Sequence, residues 1–218
     1  MESTRESNCW YKDTCQDECY MCQTYLQLKW QMDNSGLSVI QQKPIEMRIV
    51  NEVDRRVYKW LAIYRENIVE NTLAGNNLYI CSKNTGNGKT SWAIRMLHSY
   101  LHHTAVGNYD NLKGMFISVP DLLIKLKDWD NPIPASYRRS IESVDLVVWD
   151  DIAIAGISSF DYVQLYTLLN NRLSAGKSNI ITGNCVSKDD LVNLIGERLA
   201  TRIWNTSEII EFKGKDVR

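Results

Sequence analysis

Asn77-Leu78-Tyr79-Ile80-Cys81 is a short apolar run that leads into Thr85-Gly86-Asn87-Gly88-Lys89-Thr90, after which a helical pattern extends from about Lys89 to His103. Strand, glycine-rich turn and helix in this order have the chemistry of a phosphate-binding loop. Gly86 and Gly88 let backbone N–H groups converge on phosphate oxygens, and the helix that follows presents its positive end to them. Lys89 is placed to neutralise β- and γ-phosphates, Thr90 to set its hydroxyl on Mg²⁺, and Ser91 to follow in the same first turn. One position departs from the full pattern. Lys83 stands where a glycine is usual, so it must enter the turn without a left-handed backbone. An ordinary glycine-rich turn is the competing reading, but the flanking strand and helix fall where the phosphate mechanism needs them.

Working outward, the pattern of strand alternating with helix repeats. Gly114 to Val119 and Asp145-Leu146-Val147-Val148-Trp149 read as strands, as does Ser178-Asn179-Ile180-Ile181-Thr182, and Glu208 to Phe212 reads as a fifth. Helices are expected near Asp121 to Lys127, in a short basic stretch before the third strand, and from Phe160 to Ser174. Such alternation predicts a parallel sheet covered on both faces, with any ligand at the carboxyl ends of the strands.

Three further groups belong at those strand ends. Asp150 and Asp151 close the apolar third strand. Two acids there fit a turn or helix cap, but behind a phosphate loop they fit a Mg²⁺-holding carboxylate, Asp150, and a residue that orients or deprotonates the attacking water, Asp151. Asn184 follows the fourth strand and can contact the γ-phosphate or the lytic water; an Asn after a glycine is equally a turn residue, and the residues alone leave both readings open. Arg198 and Arg202 lie four apart on one helix face. They suit a solvated salt-bridging face, or an arginine finger offered to a neighbour's γ-phosphate, with Arg202 the candidate.

Four of the six cysteines, Cys9, Cys15, Cys19 and Cys22, crowd the start of the 218-residue chain. Four thiolates can close a structural Zn²⁺ site, although the unequal spacings match no single finger class and free cysteines are the alternative. Cys81 and Cys185 are expected to be packing residues. A helix-like run from Glu18 to about Met32 ends at Asp33-Asn34-Ser35-Gly36, and from Pro44 a long amphipathic helix is expected through Ile49, Val53, Val57, Trp60, Leu61 and Tyr64. The division is therefore a Cys-rich region, 1–43, and a body, 44–218. With 25 basic and 26 acidic residues the net charge is -1, so nucleic acid can be met only by a local patch. Lys125, Lys127, Trp129, Tyr137, Arg138 and Arg139 mix basic and aromatic side chains suited to single-stranded DNA, though each is also an ordinary solvated residue. No stretch is long and apolar enough to span a bilayer and the start lacks a secretion signal, so no membrane partner and a cytoplasmic location are expected.

The order of these motifs resembles the AAA+ ATPases of the DnaC/DnaI helicase-loader family, phage-type members especially. The likeness is carried by Gly86-Asn87-Gly88-Lys89-Thr90, Val147-Val148-Trp149-Asp150-Asp151-Ile152, Leu165-Tyr166 through Asn171-Arg172, Thr182-Gly183-Asn184, and Gly196-Glu197-Arg198 to Arg202-Ile203. The ending Phe212 to Arg218 completes it. The resemblance implies a three-layer αβα P-loop domain with a central parallel five-stranded sheet, preceded by a small zinc-binding region. It implies ATP and Mg²⁺ as ligands, ATP hydrolysis to ADP and phosphate, and self-association into an ATP-dependent oligomer. It further implies a hexameric replicative helicase as partner, gripped by the zinc region and delivered onto single-stranded DNA. By the same resemblance Asn184 is sensor 1, Arg202 the arginine finger, and Arg218 a sensor-2-like or terminal nucleotide contact. Ala153 replaces the family's usual glycine after the acidic pair, a departure that bears on hydrolysis more than on binding. An IstB-like transposition regulator, which shares this body, is the alternative.

Overall fold

The computed structural model describes residues 22–46, 52–105, 111–128, 132–153 and 157–214. The five apolar runs form strands β1 (Asn77–Cys81), β2 (Gly114–Ser118), β3 (Leu146–Asp150), β4 (Ser178–Gly183) and β5 (Ser207–Glu211). They make one parallel sheet in the order β2-β3-β4-β1-β5. The chain crosses from β1 to the far strand β2 and then returns through β3 and β4. That path gathers the carboxyl ends of β1, β3 and β4 at the centre, the usual ligand crevice of an open α/β sheet.

Helices α1 (Gln23–Asn34), α2 (Arg55–Glu66), α3 (Ile68–Leu73) and α4 (Lys89–Thr104) precede β2 in the chain. After it come α5 (Val119–Leu126), α6 (Ala135–Ser143), α7 (Ser159–Ser174), α8 (Lys188–Ile195) and α9 (Glu197–Thr206). Because successive strand residues face opposite ways, Leu78, Ile80, Phe116, Val148 and Ile180 join Leu28, Met32, Leu61 and Leu97 of the first helix group. Tyr79, Ile117, Val147, Trp149 and Ile181 join Leu122, Leu165, Leu169, Leu191 and Leu199 of the second. The expected three layers are thus present. Burial on both faces is why these strands read as continuous apolar runs rather than as alternating ones, and each such side chain contributes about 1.5–3 kcal/mol on leaving water.

At the amino ends of the strands a buried polar network replaces apolar packing. The Arg172 guanidinium, fully buried, donates to the carbonyls of Ile141, Val144, Asp145 and Ser178 and to Asn179 Oδ1. Asn179 Oδ1 also accepts from Trp149 Nε1 at 3.0 Å. Burial pushes the Arg172 pKa down to about 9, which leaves it charged at neutral pH. It thereby ties the end of α6 to α7 and β4.

Several elements differ from the sequence reading. Of the helix expected from Pro44, residues 47–51 lie outside the described residues, and the part from residue 52 is a 3-10 turn, Glu52–Asp54, followed by α2 and α3, broken at Asn67. Asn67 Nδ2 bonds the Ile63 carbonyl at 2.9 Å, the kind of side chain to backbone bond that competes with helix continuation. Helix α8 was not expected at all, although Ser187 accepting from Asp190 N–H at 3.1 Å is an N-cap with a signature legible in the sequence. The run expected from Glu18 begins, among the described residues, at Gln23. Its carboxyl-terminal end meets the open edge of β2. The Ser35 carbonyl accepts from Phe116 N–H at 2.7 Å. Gln31 accepts from Lys113 N–H at 2.8 Å and donates to the Asn111 carbonyl at 2.9 Å. Gly36, at φ +82°, passes so near the strand that a Cβ would stand 2.5 Å from the Phe116 carbonyl oxygen, which only glycine tolerates.

Candidate functional site

The turn after β1 is shaped from inside. Ser82, fully buried, accepts from Asn84 N–H at 3.0 Å and from the side-chain amide of Asn87. Gly86 and Gly88 take φ of +70° and +91°, and Gly88 is the N-cap of α4 with no side-chain cap bond of its own, so the first N–H groups of the helix face the loop. Lys83 keeps an ordinary backbone, because Asp151 is the one non-glycine residue at positive φ among the described residues. The departure at Lys83 is therefore accommodated without strain. Lys89 Nζ, drawn back over the turn, donates to the Asn84 carbonyl at 3.0 Å and to Asn87 Oδ1 at 3.4 Å.

Facing this loop, Asp150 ends β3 and Thr182 lies near the end of β4. Thr90 Oγ1 donates to Asp150 Oδ1 at 2.8 Å, and Thr182 Oγ1 donates to the same oxygen at 2.6 Å. Burial raises the Asp150 carboxyl above the usual carboxylate range against the pull of those two hydroxyls, and the Asp151 charge adds to the rise while Lys89 opposes it. Thr182 Oγ1 also accepts from Asp151 N–H at 3.0 Å. Asp151 is thus held at φ +55°, a left-handed backbone that costs a non-glycine residue roughly 1–2 kcal/mol, and its side chain is exposed at the loop. Thr182 was not among the residues singled out in the sequence. A hydroxyl at the end of an otherwise apolar buried strand was the available signal.

A cavity of about 500 Å³ is lined by the loop from Thr85 to Ser91 together with Asp151 and Asn184. Asn184 stands exposed just beyond β4. Its loop is held by Tyr79, whose hydroxyl donates to the Cys185 carbonyl at 3.0 Å. Gly183 lets that ring lie close, since a Cβ there would meet the Tyr79 hydroxyl at 2.6 Å. Asp150 lines an adjoining hollow of about 540 Å³ with Asp121 and Tyr137. A larger hollow of about 800 Å³ beside Trp30 and Lys113 contains neither a residue of the phosphate loop nor Asp150, Asp151 or Asn184. Convergent N–H groups, a lysine, the Asp151 carboxylate and a Thr90 hydroxyl bonded to Asp150 mark the smaller cavity as the site; size does not.

The arrangement fits a nucleoside triphosphate and a hard divalent cation. Oxygen donors from Thr90 and Asp150 already lie together, as a Mg²⁺ shell requires. Arg198 and Arg202 are exposed on α9, and neither lines the cavity of its own chain. The Arg202 guanidinium lies 5.9 Å from the centre of the Tyr166 ring. Arg218, Cys9, Cys15, Cys19 and Trp129 fall outside the described residues. Cys22 is described as the N-cap of α1, its Sγ accepting from Tyr25 N–H at 3.4 Å. No cluster of three or more His, Cys, Asp or Glu side chains able to hold a metal occurs among the described residues, so the expected zinc site has no support there. The basic and aromatic run is divided, with Lys125 and Arg139 exposed and others held within the fold. Lys127 pairs with Asp161 at 2.7 Å, Arg138 with Gln164 at 2.7 Å, and Tyr137 is half-buried. No helix of the described residues is long and apolar enough to cross a membrane.

No protein-family model matches the sequence. Among curated proteins the chain is similar to the replicative helicase loader DnaC of Buchnera aphidicola subsp. Schizaphis graminum, 26% identical over 174 residues. That match takes in 74% of this chain and 65% of the relative, so the chain spans about two thirds of the length of the curated relative it matches. The fold is similar to a crystal structure of the DnaC helicase loader, with a TM-score of 0.65 at 20% identity over 77% of this chain and 94% of that one. It is also similar to the replication initiator DnaA bound to AMPPCP and single-stranded DNA, with a TM-score of 0.58 at 20% identity over 77% of this chain and 49% of that one. The resemblance to DnaC/DnaI-type loaders carried by the motifs is borne out by these matches.

Proposed function

We propose that this chain is an ATP-dependent helicase loader, which binds a hexameric replicative helicase and delivers it onto single-stranded DNA. The observation that carries the reading is the convergence of Thr90, Asp150 and Thr182 beside a glycine loop that shares one cavity with Asp151 and Asn184. A P-loop alone would indicate nucleotide binding and nothing more. The curated relatives, named as helicase loaders, favour the loader over the transposition-regulator alternative.

In this reading the N–H groups of Gly86 to Lys89 and the Lys89 amine hold the β- and γ-phosphates, while Thr90 and Asp150 hold the cation. Mg²⁺, when bound, supplies charge neutralisation to the triphosphate. Asp151 accepts a proton from, or orients, the water that attacks the γ-phosphorus, and Asn184 hydrogen-bonds the same water or a γ-oxygen. Arg202, which is exposed and does not line the cavity of its own chain, completes the site of a neighbouring subunit, so nucleotide turnover depends on self-association. The region 1–43 docks the helicase, with Cys9, Cys15, Cys19 and Cys22 as zinc ligands; the density of thiols supports that part of the reading.

The test is capture of the cognate replicative helicase by the purified chain with and without ATP, using wild type, Lys89→Ala and a variant with all four amino-terminal cysteines replaced by serine. Nucleotide-dependent capture by wild type and its loss in Lys89→Ala are expected. A wild-type protein that neither binds ATP nor retains the helicase overturns the reading.

A further inference from the structure

Asp54 lies far from the phosphate loop in sequence and is 2% exposed. Its two carboxylate oxygens accept from consecutive backbone donors just past β5, Lys213 N–H at 2.8 Å and Gly214 N–H at 2.9 Å. The Gly214 carbonyl accepts from Asn84 Nδ2 at 2.9 Å, and the carbonyl of Asn84 is the one that receives Lys89 Nζ. Four residues from three separated parts of the chain thus form one unbroken line of hydrogen bonds ending on the cation of the phosphate loop. The strand end is fixed at its other side too, since Phe212 N–H donates to the Cys81 carbonyl at 2.8 Å, immediately before the loop begins.

A carboxylate that accepts two backbone N–H groups is a stiff joint, because charge-assisted bonds are roughly twice as strong as neutral ones and both donors belong to a single peptide segment. Within the turn Asn84 is held through its N–H, which donates to the buried Ser82 Oγ, while its neighbours Lys83 and Thr85 are exposed; the bond to Gly214 adds an anchor from outside the turn. We propose that Asp54 and Asn84 are positioning residues for nucleotide binding: through Gly214 they brace the first half of the phosphate loop, so that Lys89 is presented at a fixed height above the β- and γ-phosphate positions. The inference rests on the nucleotide-binding reading given above and assigns it two residues that touch no phosphate. It also makes the segment after β5 part of the site's support.

The experiment is titration of the full chain with a fluorescent ATP analogue, well below the melting transition, for wild type, Asn84→Ala, Asp54→Asn and the double variant. Loss of one link, a bond of about 1 kcal/mol, weakens affinity about fivefold in each single variant. Because both residues act along one line, the double variant is expected to bind no worse than the weaker single one. Asn84 is only half-buried, so its replacement lowers the melting temperature by no more than a few degrees and leaves the chain folded at the titration temperature, which separates lost positioning from lost folding. If Asp54→Asn does not fold, Asn84→Ala decides alone. Unchanged affinity in Asn84→Ala, or losses that multiply in the double variant, overturn the brace while nucleotide binding stands. A wild-type chain that binds no nucleotide overturns the functional reading and the brace together.

Discussion

Thr182 and Asp150 share a 2.6 Å hydrogen bond between neighbouring strand ends, and the same threonine oxygen receives the N–H of Asp151. One hydroxyl therefore governs both carboxylates of the site. It steadies the proposed cation ligand and pins the backbone of the proposed water-activating residue.

Thr182→Val keeps the shape of the side chain and removes both bonds. ATP hydrolysis is expected to fall about tenfold or more, with a stability loss of roughly 1–3 kcal/mol from the unsatisfied groups. Phosphate release and urea denaturation on the same preparation measure the two effects; unaltered hydrolysis would remove Thr182 from the site.

Arg202 is exposed and its ring contact with Tyr166 is worth only about 0.5–1 kcal/mol, so Arg202→Ala should melt like wild type. If it serves a neighbour, hydrolysis falls on the order of 10³-fold. Mixing inactive Arg202→Ala with inactive Lys89→Ala should then restore part of the activity, because some junctions pair an intact loop with an intact arginine. A mixture as dead as its components would place the arginine elsewhere.

His98, buried on α4, has its imidazole pushed down to about 4 by burial, against a backbone hydrogen bond to Gln41 that works the other way. The unfolded chain binds this proton near pH 6.5 and the folded chain only near 4, so the unfolded state holds more protons between those values. The stabilisation is whole above pH 6.5 and is lost as pH falls through that window. At pH 5 the loss from this residue is about 2 kcal/mol, from 1.36 kcal/mol per pKa unit. Denaturation curves at pH 5 and pH 7 should differ by that amount in wild type and much less in His98→Phe.

Arg172 holds four carbonyls and Asn179 with no carboxylate in contact among its bonds. Replacing it by methionine takes a donor from each of these acceptors, of which Asn179 Oδ1 keeps Trp149 Nε1 and the Asp145 carbonyl keeps Ser178 N–H, and the expected cost is about 3 kcal/mol or more. Chemical denaturation of Arg172→Met reads this directly. A variant within 1 kcal/mol of wild type would mean that water takes over the network.

The phosphate loop, the acidic pair and the five strands were legible because each rests on local pattern, whether glycine placement, a polar break after apolar residues, or a buried run of five. Thr182 was not, since its importance comes only from the β3 and β4 ends lying side by side. Asp54 was hidden for a like reason, its partners being the backbone of residues more than a hundred positions away. Helix α8 has a readable cap, but over its eight residues the two buried side chains, Leu191 and Ile195, give too short a helical period to stand out. In the basic and aromatic run, composition suited a nucleic-acid patch and an ordinary solvated face alike; Lys127 and Arg138 have partners on α7, while Lys125 and Arg139 are exposed.

The meeting of the carboxyl-terminal end of α1 with β2 bears on how the protein can be cut. A truncation after residue 43 would remove Leu28, Met32 and Leu37 from the second core cluster, together with the carbonyl of Ser35 and the amide of Gln31 that occupy the open side of the sheet. Strand β2 would then offer bare peptide groups beside a newly exposed apolar surface, the combination that recruits further chains edge to edge. Insolubility of such a fragment would report a lost seal on the sheet, and a cut ahead of Gln23 is the one that preserves it.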